Sequence, residues 1–204
     1  MRTLIAAALL PLPALAQDLP DIAFQTLTLD PAHATITFRV DHLGFSHYTA
    51  GFDRFAATLD FGTDRPQDAR LSAEIDVASL DLPSPPDGFL AELLGANWFD
   101  AATHPVIRFT SDTITPTGGT TATVTGTMQM LGVSSPVTME VTFNGGYPQA
   151  EWEPYARIGF SARGSLSRSA FGMAIGVPPP GSTLGVGDTV SFAIEAEFIG
   201  QPKP

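Results

Sequence analysis

The chain reads as an all-β protein, an eight-stranded antiparallel barrel with a short helix near its mouth. Three observations predict this. One-sided apolar alternation, the signature of a strand buried on one face, recurs along the chain. The runs are joined by turns rather than by repeated helices, which argues for an antiparallel meander. Eighteen prolines and 19 glycines supply many turns, while 44% of the residues are hydrophobic. A single wide sheet with one apolar face must close on itself or pack on a second sheet. Eight main runs fit a closed barrel with room inside for side chains or one small ligand, and a two-sheet sandwich is the competing architecture.

The first sixteen residues read as an export signal. Arg2 gives the positive start, Leu4 to Leu10 a short apolar run, and Ala14-Leu15-Ala16 a small-residue cleavage motif. The run falls short of the ~20 residues a membrane span needs. Residues 17–204 then form one domain, expected to be free in solution outside the cytoplasm. Cysteine is absent, which excludes disulfides, a thiol-linked lipid anchor, a thiolate nucleophile and cysteine metal sites. A formal charge of −11 repels phosphate backbones and anionic headgroups, so nucleic acid is not an expected partner.

Residues 17–24 form a lead-in and Gln25 to Leu29 a short first strand. Asp30-Pro31 signals a turn, because proline fixes its own φ and restricts the residue before it. Ile36, Phe38, Val40 and His42 then share the inward face of a strand, and Gly44 permits a sharp reversal toward Phe52, Phe55, Ala57, Leu59 and Phe61. Leu71, Ala73, Ile75 and Val77 make the next row. After Pro83-Ser84-Pro85-Pro86, Leu90, Leu93 and Leu94 recur at helical spacing, predicting a helix over 87–94 that Gly95 ends. Strands resume with Ile107 and Phe109. Four more rows follow, led by Val124, Val137, Ile158 and Val190, the last two separated by a long glycine- and proline-rich loop.

Catalytic signals are weak. The histidines, His33, His42, His47 and His104, have no carboxylates at metal-site spacing, and no serine stands in a nucleophile elbow. Most strand carboxylates fall on the outward phase. The expectation is a protein that is not an enzyme and has no metal or cofactor. What stands out is the interior. Fourteen phenylalanines face three tyrosines and two tryptophans, so few aromatics carry a polar handle. Met128, Met130 and Met139 take inward positions and Met173 lies in the long loop. Flexible methionines suit a pocket for a floppy chain, although the same residues also suit a filled core. Arg168, beside Phe171, offers a planar donor fork for a polar headgroup, or else an ion pair closing the rim. Trp98-Phe99-Asp100 reads as the opposite flap of the mouth. The candidate ligand contacts are Phe38, Val40, His42, Phe45, Phe52, Trp98, Phe99, Phe109, Met128, Met139, Phe160, Arg168 and Phe171.

An ordered series of motifs resembles the YceI-like family of exported polyisoprenoid-binding proteins. It begins with Leu29-Asp30-Pro31-Ala32-His33 and Ile36-Thr37-Phe38-Arg39-Val40-Asp41-His42-Leu43-Gly44-Phe45-Ser46. It continues through Ile75-Asp76-Val77, Trp98-Phe99-Asp100-Ala101 and His104-Pro105-Val106-Ile107-Arg108-Phe109, and ends at Arg168-Ser169-Ala170-Phe171-Gly172-Met173. The resemblance implies a lipocalin-like antiparallel barrel in the periplasm that holds a long isoprenoid, quinone or fatty amide chain without transforming it. It also implies two possible partners, a second copy of the chain in a homodimer and a membrane cytochrome b protein. A non-binding accessory protein of such a redox system is the alternative. Three departures make the mouth less polar than the family pattern: Pro86-Asp87-Gly88-Phe89-Leu90 replaces a basic, histidine-containing run, Leu131 replaces a histidine, and Ala170 replaces an aspartate.

Overall fold

The computed structural model describes residues 19–202; the export signal expected over 1–16 lies outside the described residues. Ten strands form one antiparallel sheet: β1 (Gln25–His42), β2 (Ser46–Phe52), β3 (Phe55–Phe61), β4 (Arg70–Asp76), β5 (Leu80–Asp81), β6 (Val106–Pro116), β7 (Thr121–Met130), β8 (Val133–Tyr147), β9 (Arg157–Ser167) and β10 (Val186–Gly200). Pairing of β1 with β10 closes the ring through β3, β4, β6, β7, β8 and β9, which makes an eight-stranded barrel. The two strands beyond the ring are β2, on the C-terminal half of β1, and β5, on β2. Closure removes the open edges that a wide sheet would otherwise expose.

The first strand corrects one expectation. Gln25 to His42 is a single 18-residue strand, and Asp30-Pro31 is not a turn. The register against β10 shifts between Leu29 and Ala34, so the proline sits in a bulge where its missing N–H leaves no ladder bond unmade. The Asp30 carboxylate accepts from Ala32 N at 3.1 Å and holds the bulge. The helix is shorter than expected. α1 spans Phe89–Leu94, because Gly88 before it is left-handed (φ 79°) and starts the helix late; Gly95 follows its last residue.

Apolar side chains form two clusters, one toward each end of the barrel. At the end carrying α1, buried Phe52, Val77, Leu80, Ile107, Phe109, Met130 and Phe171 pack together. At the opposite end Ile22, Leu27, Leu59, Phe61, Ile158 and Phe198 do the same, with Phe143 and Phe160 against them. Members of both clusters line the cavity. No helix among the described residues is long and apolar enough to cross a membrane.

Candidate functional site

The period-2 phase of each strand delivers its apolar row to the barrel axis, and these rows do not meet in the middle. They enclose a cavity of about 660 Å³, within the range of roughly 300–1,000 Å³ usual for ligand pockets. Lining residues come from both barrel ends: Leu19, Thr63 and Pro66 at one, Pro86, Phe89 and Val186 at the other. The space therefore runs the length of the barrel. No Asp, Glu or Lys lines it among the described residues, and Arg168 and His42 are its only basic groups.

Ten of the thirteen expected contacts line this cavity: Phe38, Val40, His42, Trp98, Phe99, Phe109, Met128, Met139, Phe160 and Arg168. Met130 and Met173 line it as well. Three expected contacts lie elsewhere. Phe45 is 81% exposed at the tip of the β1–β2 hairpin, where the left-handed Leu43 and Gly44 (φ 60° and 70°) turn it away from the axis. Phe52 is buried behind the wall, its ring 5.7 Å from that of Phe38 and 5.9 Å from that of Phe99. Phe171, 1% exposed, follows Arg168 in a short 3₁₀ turn and packs into the α1-end cluster.

Arg168 is neither a free donor fork nor one half of an ion pair. Its Nε donates to the Gly187 carbonyl at 2.9 Å, Nη1 to those of Met173 and Ile175 at 2.8 Å, and Nη2 to that of Val186 at 2.7 Å. Two carbonyls of the loop after Phe171 and two at the start of β10 are thus gathered on one planar cation, and the guanidinium lies 5.4 Å from the centre of the Trp98 ring. Burial lowers its pKa, and the Asp188 charge opposes that shift. The side chain is 3% exposed, so it acts as a peg that fixes the long loop over one barrel end.

Tyr48 is a lining residue absent from the expected set. It stands opposite Val40 in the β1–β2 ladder, its ring edge-on to Phe89 with centroids 6.5 Å apart. The signal lay in the phase of β2, since counting back by twos from Phe52 gives Ala50 and then Tyr48. Burial pushes the Tyr48 phenol pKa up, and the Asp81 carboxylate pushes it further.

The opposite end has its own arginine. From β9, Arg157 reaches across β10 and donates to Asp30 at 2.7 Å and Glu197 at 2.6 Å. Asp30 also meets His33 Nδ1 at 2.9 Å. Asp30, His33 and Glu197 are close enough together to hold a cation, but Arg157 already supplies the positive charge between the two carboxylates.

The family model of the YceI-like domain matches residues 27–198. The chain is 30% identical over 172 residues to a UPF0312 protein of Pseudomonas putida strain F1, covering 83% of this chain and 82% of that one. Among solved structures it is similar to BcnA of Burkholderia cenocepacia, at TM-score 0.67 and 27% identity over 83% of this chain and 98% of the other. It also shares the fold of a polyisoprenoid binding domain from Saccharophagus degradans, at TM-score 0.63 and 13% identity, covering 88% and 100% of the two chains. A closed barrel with an apolar bore, matched along nearly its whole length by the family model, places this chain in the YceI-like family.

Proposed function

We propose that this protein is an exported, periplasmic carrier that holds one long apolar molecule, an isoprenoid, isoprenoid quinone or fatty amide, without transforming it. The observation that carries the reading is the cavity of about 660 Å³, bounded along its length by Phe, Met, Leu, Ile and Val side chains. A core evolved only for stability packs to the density of an organic crystal, and a void of this size forgoes the contacts that filling it would provide. Phe38, Phe109, Phe160, Met128 and Met139 hold the chain, and the methionines adapt to its bends. The shared fold with the polyisoprenoid binding domain of Saccharophagus degradans supports the same class of ligand. Among the described residues the cavity presents no carboxylate and no hydroxyl paired with a base, which favours storage or transfer over turnover.

Native mass spectrometry of protein purified from its own periplasm tests this. The expected result is a co-purifying lipid, with uptake of a quinone or polyprenol by the delipidated chain. Ala57→Trp, which pushes an indole into the bore from β3, is expected to abolish uptake while leaving the barrel folded. Protein that emerges empty and takes up neither probe refutes the carrier and leaves the accessory role beside a membrane cytochrome b.

A further inference from the structure

Two polar atoms at the α1 end have no partner. The Tyr48 hydroxyl and the Trp98 indole Nε1–H are both out of reach of solvent, and neither has a hydrogen-bond partner among the described residues. Both side chains line the cavity. A buried donor left unpaired costs about 1–3 kcal/mol, and native proteins carry few of them. Two at one end of one cavity mark a place where something is received.

Their chemistry narrows what that is. An indole N–H donates and cannot accept, so whatever answers Trp98 brings a lone pair. The Tyr48 phenol stays protonated, because burial and the Asp81 charge both push its pKa up, and it too has a proton to donate. Charge narrows it further. Asp81 acts on the Tyr48 site and disfavours an anion there. Arg168, whose guanidinium lies over the Trp98 ring, has already committed four N–H groups to backbone carbonyls. A phosphate would find no free fork.

On the carrier reading above, we infer that the α1 end of the bore receives an uncharged head that accepts hydrogen bonds, a carbonyl of the quinone or amide type, from Tyr48 Oη and Trp98 Nε1. The hydrocarbon tail runs from there past Phe38 and Phe192 toward Phe143 and Phe160. The two donors lie beneath neighbouring atoms, so the head reaches them by displacing part of the cover. α1 is the weak part of that cover: it has six residues, no side-chain cap and no buried residue, and its Phe89 rests edge-on against Tyr48.

The test compares three probes on the delipidated chain: decylubiquinone, the hydrocarbon squalane, and geranylgeranyl phosphate. The expected result is that Tyr48→Phe and Trp98→Phe each weaken decylubiquinone roughly five- to thirtyfold, the loss of one buried hydrogen bond. Squalane affinity stays within about twofold, since no donor is used to hold it. Infrared difference spectra of bound decylubiquinone should show its carbonyl stretch lowered in the wild type and restored toward the hydrocarbon-solvent position in Tyr48→Phe. Equal losses for both probes, no loss for either, or an unshifted carbonyl in the wild type would overturn the inference while the carrier stands. Tighter binding of geranylgeranyl phosphate than of decylubiquinone would overturn the choice of head. A wild type that binds none of the three removes the carrier and this inference together.

Discussion

The two ends of the barrel are each tied by one arginine, and the ties differ in kind. At the α1 end Arg168 is 3% exposed and answers to four backbone carbonyls. At the opposite end Arg157 keeps 29% of its side chain exposed and answers to the carboxylates of Asp30 and Glu197. The first links a loop to itself and to the end of β9, the second laces β9, β10 and β1 across the outside of the barrel. Burial lowers the Arg168 pKa, whereas the two carboxylates raise that of Arg157. The difference teaches where rigidity is needed. The end that carries unpaired donors and a short helical cover needs a fixed loop beside it, and carbonyl oxygens can be fixed by a cation without themselves becoming buried charges.

The largest expected effect comes from breaking the buried tie. Arg168→Met leaves the carbonyls of Met173, Ile175, Val186 and Gly187 unanswered beneath the loop. Allowing water to recover some of them, the cost is roughly 3–5 kcal/mol. Thermal unfolding should read this as a Tm lower by roughly 10 °C. Arg168→Lys sharpens the point, because an ammonium keeps the charge but has three donors in a compact group and no planar fork. It should recover less than half of the loss. Full recovery would show that charge rather than the four-carbonyl geometry holds the loop.

Breaking the outer tie should matter less and should depend on acid. Arg157 is the main reason the Asp30 pKa falls from 3.8 to about 2, with His33 second. A carboxyl whose folded pKa lies below its unfolded one adds stability that is fully present above about pH 4. That stability is lost as pH falls through about 2. Arg157→Met should therefore cost on the order of 1 kcal/mol at neutral pH, since water reaches part of both ion pairs and screens them. It should also flatten the fall in stability between pH 4 and pH 2, measured by urea unfolding at each pH. A variant that loses stability at neutral pH with an unchanged acid slope would mean that Arg157 contributes by packing alone.

How much of this was legible in the sequence follows the same division. Strand rows were legible because alternation is a local signal. Ile36, Phe38, Val40 and His42 line the bore as their phase requires, and so do Val190, Phe192, Ile194, Ala196 and Phe198 at the other end of the chain. What depends on partners distant in sequence was not legible. Pro31 reads as a turn until β10 supplies a ladder with a bulge to hold it. Arg168 reads as a headgroup donor or a rim ion pair because its partners are main-chain atoms, which side-chain spacing cannot announce. The pairing of Arg157 with Asp30 spans 127 positions and leaves no trace in either neighbourhood. Phe52 shows a further limit: an inward phase does not tell a bore-lining ring from one packed behind it.

Phe45 carries the smallest expected effect and the sharpest test of which parts of the α1 end belong to the cavity. The hairpin tip that bears it is pinned by Leu43 N to the Gly185 carbonyl at 2.9 Å and by Gly44 N to Asp41 Oδ1 at 2.9 Å. Leu43 and Gly44 are both left-handed, the backbone pattern of hairpin turns that match the strand twist. This fixes the ring on the outside, 81% exposed, where replacing it removes little contact. Phe45→Ser should leave stability within about 0.5 kcal/mol and squalane affinity unchanged, whereas Phe38→Ser, one face of the bore, should weaken squalane at least tenfold, as expected for several lost apolar contacts. A Phe45→Ser variant that loses squalane binding as strongly as Phe38→Ser would mean that the tip folds over the bore when a ligand is bound, and the boundary drawn between cavity and surface at this end would have to move outward to include it.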